Sequence, residues 1–374
     1  MSVFTSAKLA AIRAINADPT EFRGLDETLR GDYEVALEVV RLGHYPLVQY
    51  ATETLLMNRE FIMACVVQDY KSITCAHELL KNDKQFMSAY LKKKGVKQAT
   101  IKFIPESLMH DRDFNLAVLK ESKEMLRYAP EELKTDKNFL MNALRINGMA
   151  IEYVSGELRS DPEIILTAVG SQPLSIRHIP PAARDNEHLM MRLITLRGEF
   201  SQYASDRLRA NSDFMVFAFR HYRGAYPFTA SSLRDDKTFN IAVLHIDGLY
   251  LELLPFKFQD DIDCVSAASR RNYLAFQYAS RERRSDRAFI KQVVIRIALI
   301  LDFVPRDILD DDEFMLELIR LNGLCYTYAS NMIRSNREVV VAAMRQTGNS
   351  FTYLLTHSYA HTTNSLRGAY LLAN

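Results

Sequence analysis

The chain is poor in cysteine, has no long apolar run and carries almost no excess of either charge. Its four cysteines, Cys65, Cys75, Cys264 and Cys325, form no C-x-x-C pair and are too few in 374 residues for a disulfide framework. A reducing compartment is therefore expected. No apolar run approaches the roughly 20 residues that span a bilayer. The opening stretch MSVFTSAKLAAIRAIN lacks the apolar core and cleavage site of a secretory signal. A soluble cytoplasmic protein is expected, or one delivered to a host cytosol without a cleaved signal peptide. Lys plus Arg number 47 against 46 Asp plus Glu. That balance removes the simplest argument for nucleic acid or an anionic membrane, which call for a basic excess.

Catalytic and cofactor signatures are missing too. No G-x-x-x-x-G-K, G-x-G-x-x-G, G-x-S-x-G or H-E-x-x-H string occurs. No catalytic residue, cofactor or metal is assigned, and a non-enzymatic protein is expected. His357 and His361 share a helical i, i+4 spacing but find no third ligand. Asp310, Asp311, Asp312 and Glu313 lack the spacing of a calcium loop and suit the start of a helix. His178 stands at a packing position, as do Cys65 and Cys264.

What is present is a repeat. The chain is 48% apolar and a quarter charged, enough to bury a large core. An Asp or Asn followed three residues later by a large apolar residue recurs at 111, 136, 161, 186, 211, 236, 261, 286, 311 and 336, always 25 residues apart. Asp32, Asn58 and Asp83 match upstream at looser spacing, and Ser6 is the candidate opening of one more degenerate unit. The whole chain, 1–374, then reads as one helical-repeat array of about 13 or 14 units. Residues 1–31 form an N-terminal cap built on a helix near Ala7–Ile15, 32–110 irregular repeats, 111–361 regular repeats and 362–374 a C-terminal cap.

Each unit has one grammar, counted here from its Asp or Asn. That residue is an N-cap, accepting from orphan N–H groups of the first turn. Apolar residues follow at +3, +4, +7 and +8, as in Phe139, Leu140, Ala143 and Leu144, the face of an amphipathic helix. Gly148, Gly198, Gly248, Gly323 and Gly348 at +12 predict a left-handed stop, with Asn147-Gly148 and Asn322-Gly323 as turn dipeptides. A shorter second helix carries an aromatic at +17, as in Tyr128, Tyr153, Tyr203, Phe228, Tyr278, Phe303, Tyr328 and Tyr353, which reads as core with a hydroxyl at its edge. Pro or Ser two residues later re-caps the chain, as at Pro180, Ser205, Pro255 and Ser280. The expected fold is an all-α solenoid of helix-turn-helix units, each burying its faces against its neighbours.

The string D-x-x-F … N-G-x-x-x-x-Y-x-S-x-x-L-R resembles a tandem helical repeat family, the domain of unknown function numbered 4116 (DUF 4116 repeats). Asp136, Phe139, Asn147, Gly148, Tyr153, Ser155, Leu158 and Arg159 carry it, and Asp311, Phe314, Asn322, Gly323, Tyr328, Ser330 and Arg334 repeat it. The resemblance covers most of 111–361 and, more weakly, 32–110. It implies the fold and no defined activity, and it points to a host-directed, viral or protist interaction protein.

Two basic ladders complete the pattern. Arg30, Lys81, Lys134, Arg159, Arg184, Arg209, Arg234, Arg284 and Arg334 stand at −2. Arg41, Lys92, Lys120, Arg145, Arg220, Arg270, Arg320 and Arg345 stand at +9. Near helix C-termini such cations offset the macrodipole and pair with neighbouring acids. Stacked units would also align them into stripes. Because 159, 184, 209 and 234 are all Arg, whose planar fork grips carboxylate or phosphate as Lys cannot, Arg159, Arg184, Arg209, Arg234, Arg284 and Arg334 are the expected partner-binding residues. The expected function is a scaffold for an unidentified protein partner. The alternative is a polyanion binder, of RNA or a phosphorylated partner, using an Arg stripe. Oligomeric state is left open.

Overall fold

The computed structural model describes residues 3–347. Gly348, Tyr353, His357, His361 and the proposed C-terminal cap 362–374 lie outside the described residues. Every regular element among the described residues is a helix, beginning with Val3–Ala17. The fold is all-α and repetitive. By contacts the chain divides into two compact units, Met1–Leu189 and Met190–Asn374.

Within each compact unit the repeat has three helices, not the two that the sequence pattern suggested. In the first, a short α-helix Glu131–Thr135 leads into a long α-helix Lys137–Ile146, followed by a 3₁₀-helix Gly148–Tyr153. In the second, Asp206–Arg209, Ser212–His221 and Arg223–Phe228 follow the same order. The long helix starts where expected. Asp136 Oδ1 accepts the N–H of Phe139 at 3.0 Å, Asn211 Oδ1 that of Phe214 at 2.9 Å, and Asp311 Oδ1 that of Phe314 at 3.1 Å. Ser205 and Ser280 cap the short helices in the same way, accepting from Leu208 and Arg283. The +3, +4, +7 and +8 side chains form the core: Phe139, Leu140, Ala143 and Leu144, and again Phe314, Met315, Leu318 and Ile319, are all buried. Each large member contributes about 1.5–3 kcal/mol by leaving water.

The glycines at +12 act differently from expectation. Among the described residues positive φ occurs only at Gly43, Gly95 and Gly156. The helix ends instead because Asn147 at +11 is extended, with φ −144° and ψ 93°, and Gly148 opens the 3₁₀-helix. What Gly supplies is absence of bulk. A Cβ on Gly148 would overlap the carbonyl oxygen of Ala168, and one on Gly248 that of Ala268. The following unit's long helix therefore rests directly on this residue.

The Asn147 side chain likewise reaches out of its turn. Its Nδ2 donates to the Leu119 carbonyl of the preceding unit at 3.0 Å, as Asn322 Nδ2 does to Val294 at 2.8 Å. The 3₁₀-helix turns every three residues. That period carries +14 and +15 inward, so Ala150, Ile151, Ala275 and Phe276 are buried. The +17 ring is left at the rim, where Tyr153, Tyr203, Tyr278 and Phe303 are half-buried rather than core.

A further bond links neighbouring units. The cap carboxylate uses one oxygen for its own helix and offers the other to a cation at +1 of the unit before. Lys84 meets Asp111 at 2.6 Å, Lys137 meets Asp161 at 2.9 Å, Lys237 meets Asp261 and Arg287 meets Asp311, both at 2.7 Å. Arg59–Asp83 and Arg112–Asp136 make the same pair.

Candidate functional site

The two basic ladders occupy opposite environments. All the −2 arginines are half-buried, and all the +9 cations are exposed. The −2 residue closes the short helix, as Arg184 closes Pro181–Arg184 and Arg209 closes Asp206–Arg209. From there the guanidinium turns to the protein's own backbone. Arg30 donates to the Tyr50 carbonyl at 3.1 Å, Arg159 to His178 at 3.0 Å and Arg284 to Phe303 at 3.2 Å. His178 and Phe303 hold the +17 place, so the arginine satisfies the last carbonyl of its own unit's 3₁₀-helix. Arg284 adds a second bond from Nε to the Ala279 carbonyl at 3.1 Å.

The remaining ladder residues vary on this theme. Arg184 donates to the Arg177 carbonyl and Arg334 to Asn331 Oδ1, while Arg209 pairs with Asp206. Arg234 differs: it lines a shallow hollow with Tyr226, Ser231, Asp235, Leu253, Leu254 and Pro255. The six arginines expected to bind a partner thus share a phase, and the structure gives five of them intramolecular acceptors.

At +9 the side chains point outward from the ends of the long helices. Arg41 pairs with Glu38, and Lys92 with Glu121. Arg220, Arg270 and Arg320 have no side-chain partner among the described residues. The sequence displays this ladder too, but its residues are less uniform than those at −2 and so point less clearly to a binding stripe. Exposure separates the two, and exposure is not written in a list of positive charges.

Three of the four thiols are fully enclosed, and Cys75 is half-buried. Cys65, Cys264 and Cys325 are buried, and burial pushes each thiol up to about 12. A thiol so raised is protonated at neutral pH and a poor nucleophile or ligand. Among the described residues no three His, Cys, Asp or Glu side chains cluster as metal ligands would. No helix among them is long and apolar enough to cross a membrane.

The family described as a domain of unknown function (DUF4116) matches residues 58–98, 96–134, 136–182, 286–334 and 311–357, together more than half of the chain. The chain belongs to the DUF4116 family. Four of the five DUF4116 matches begin on a capping residue, Asn58, Asp136, Asp286 and Asp311, the fifth begins between Asp83 and Asp111, and each spans fewer than two 25-residue repeats. That phase agrees with the unit boundaries set by the N-caps. No curated protein and no solved structure matches the chain.

Proposed function

We propose that this DUF4116 protein is a non-enzymatic scaffold whose repeated outer surface binds a protein partner in the cytosol. The observation that supports this reading is exposed apolar side chains recurring at fixed phases beside exposed cations. Ile146 and Leu321 at +10, and Leu174, Leu274, Leu299 and Leu324 at +13, are all exposed. Isolated exposed leucines are ordinary, but repetition at one phase in stacked units builds a patch, and patches mark interaction sites. Four unpaired cysteines suit a reducing setting.

The exposed arginines at 220, 270 and 320 favour a second reading, a binder of polyanions such as RNA. Salt separates the two, because polyanion binding falls steeply as ionic strength rises. The chain would be cross-linked in cells of its source, and separately the purified chain would be run over heparin at rising salt. The scaffold reading expects protein adducts that survive high-salt washing, with early elution from heparin. Absence of protein adducts together with late elution would replace it with the polyanion reading.

A further inference from the structure

From residue 236 to residue 324 the ends of four consecutive long helices carry one kind of surface. At +9, +10 and +13 the residues are His245, Ile246 and Leu249, then Arg270, Arg271 and Leu274, then Ile295, Arg296 and Leu299, then Arg320, Leu321 and Leu324. At these three phases no acid and no uncharged polar residue other than the histidine occurs, and +11 carries Asp247, Asn272, Ile297 and Asn322. Leu274 is 38% exposed, Ile295 55%, Leu299 49% and Leu324 37%. Arg270, Arg296 and Arg320 are exposed and have no side-chain partner among the described residues.

Direct bonds hold two of the three junctions in the row. Arg271 Nε donates to the Ile246 carbonyl at 3.2 Å, Asn322 Nδ2 to Val294 at 2.8 Å, and Gln346 Nε2 to Arg320 at 2.8 Å. The second helix end is thereby held against the first and the fourth against the third, while the last bond ties the fourth to the helix that follows; between the second and third ends the 3₁₀-helices Tyr273–Tyr278 and Ala298–Phe303 pack together. The acids of the same stretches have other partners. Glu252 pairs with Arg223, and Asp247 Oδ1 accepts from the Leu249 N–H. The acids at +2, Asp263 and Glu313 among them, stand at the far ends of the long helices, about 12 Å away at 1.5 Å rise per residue.

We infer that this row is the docking surface for an acidic peptide segment bearing apolar side chains, supplied by a partner protein. The inference deepens the scaffold reading and rests on it. Three arginines without acids call for carboxylates, since a desolvated cation needs a counter-charge. Leucines and isoleucine set between them call for apolar side chains. RNA would meet the arginines and leave the aliphatic surface uncovered, because bases stack on aromatic faces and guanidinium planes. Interface cores favour such mixed patches of Arg with large apolar residues.

The test uses the full chain and a fluorescent 20-residue peptide of alternating Glu and Leu pairs, followed by anisotropy. Three other probes accompany it: the same peptide with every Leu replaced by Ser, a like-charged peptide with Lys for Glu, and oligouridylate RNA. Two variant sets are compared, each checked for an unchanged helical spectrum: Arg270→Gln with Arg296→Gln and Arg320→Gln, and Leu274→Ser with Leu299→Ser and Leu324→Ser. The Glu-Leu peptide should bind at least about tenfold more tightly than the other three probes, and each variant set should weaken it at least about tenfold.

Tighter binding of RNA, or indifference of the peptide to both variant sets, overturns the inference. So does a wild-type dimer that the variants convert to monomer by light scattering, since the occupant is then a second copy of the chain. If cells yield a protein adduct that both variant sets retain in full, the row has failed and the scaffold reading stands. If no adduct forms, the scaffold reading itself has failed.

Discussion

Lys137 places its ammonium 2.9 Å from Oδ2 of Asp161, while Oδ1 of the same carboxylate accepts the N–H groups of Glu163 and Ile164 at 2.8 and 3.2 Å. One carboxylate thus starts its own helix and holds the preceding one. The arrangement leaves a trace in the sequence. Where +1 is Lys or Arg, at 59, 84, 112, 137, 237 and 287, the next cap is Asp. Where +1 is acidic, at Glu187 and Asp312, the next cap is Asn, which caps equally well without charge. Neutral residues at +1 are followed by either.

That rule can be run backwards. Lys137→Glu sets a carboxylate against Asp161 and should lower the urea midpoint. Adding Asp161→Asn should return much of the loss, reproducing the Asp312/Asn336 combination. Asp161→Ala, which deletes the cap itself, should cost about 1 kcal/mol. If Asp161→Asn rescues nothing in the Lys137→Glu background, the two residues do not communicate as described.

Gly248→Ala tests close approach. The added methyl meets the Ala268 carbonyl, a backbone atom that cannot rotate aside. A loss of about 1–3 kcal/mol is expected from overpacking, read as a lower midpoint with unchanged slope in urea. Gly156→Ala, where φ is +60° but nothing lies within 4 Å, should cost only the strain of a left-handed backbone. Equal insensitivity at both sites would show that the neighbouring helix is not seated where it is described.

Arg284→Lys addresses the inner ladder. Arg284 bonds two carbonyls, Ala279 and Phe303, through different nitrogens, and a single ammonium cannot reach both with the same geometry. Losing one such charge-assisted bond should cost about 1.5 kcal/mol and lower the melting temperature. The fourfold change of Arg159, Arg184, Arg209 and Arg234 to Lys should likewise melt early. If it weakens a partner about tenfold and leaves melting unchanged, the −2 ladder is the binding stripe after all.

Acid and alkali should destabilise the chain at separate ends of the scale. Asp111 is held below its ordinary value by the Lys84 ammonium and the Phe114 N–H. For Asp161 burial acts upward, but Lys137 and two backbone N–H groups outweigh it. Depressed carboxyls contribute stability above their unfolded value, about 4. They lose it as pH falls through the folded value. Lys84 is raised by Asp111, and Lys137 is raised first by Glu163 and then by Asp161. Their contribution is complete below the ordinary lysine value, about 10.4, and fades as pH rises past it. Urea midpoints should be flat between about pH 5 and 9 and fall on both sides. A midpoint that holds steady from pH 5 to 3 would deny the carboxylates their role.

Much of the fold was legible because capping is local chemistry. Asp136 and Phe139 announce a helix start three residues apart, and a strict 25-residue spacing repeats the announcement. The short helices were missed because four residues such as Ser231–Arg234 show no apolar period. The 3₁₀ character of Gly148–Tyr153 was hidden because six residues cannot distinguish a period of 3.0 from 3.6. Gly148 misled because a glycine after a helix suits a left-handed stop and a close approach alike, and only the next unit decides. The inward turn of Arg159 was equally invisible, since its acceptor, the His178 carbonyl, is backbone. The pairing of Lys137 with Asp161 was in the sequence all along, but it appears only when one unit is compared with the next.

That comparison bears on how such an array changes length. Slippage in copying a repeated gene adds or removes whole units, and each new junction brings one +1 residue against one cap. Loss of residues 261–285 would bring Lys237 opposite Asp286, a matched join. A second tandem copy of 311–335 would set Asp312 against another Asp311, carboxylate on carboxylate. Units of equal length are therefore not interchangeable, and the inheritable lengths of the array are those whose ends match like dominoes.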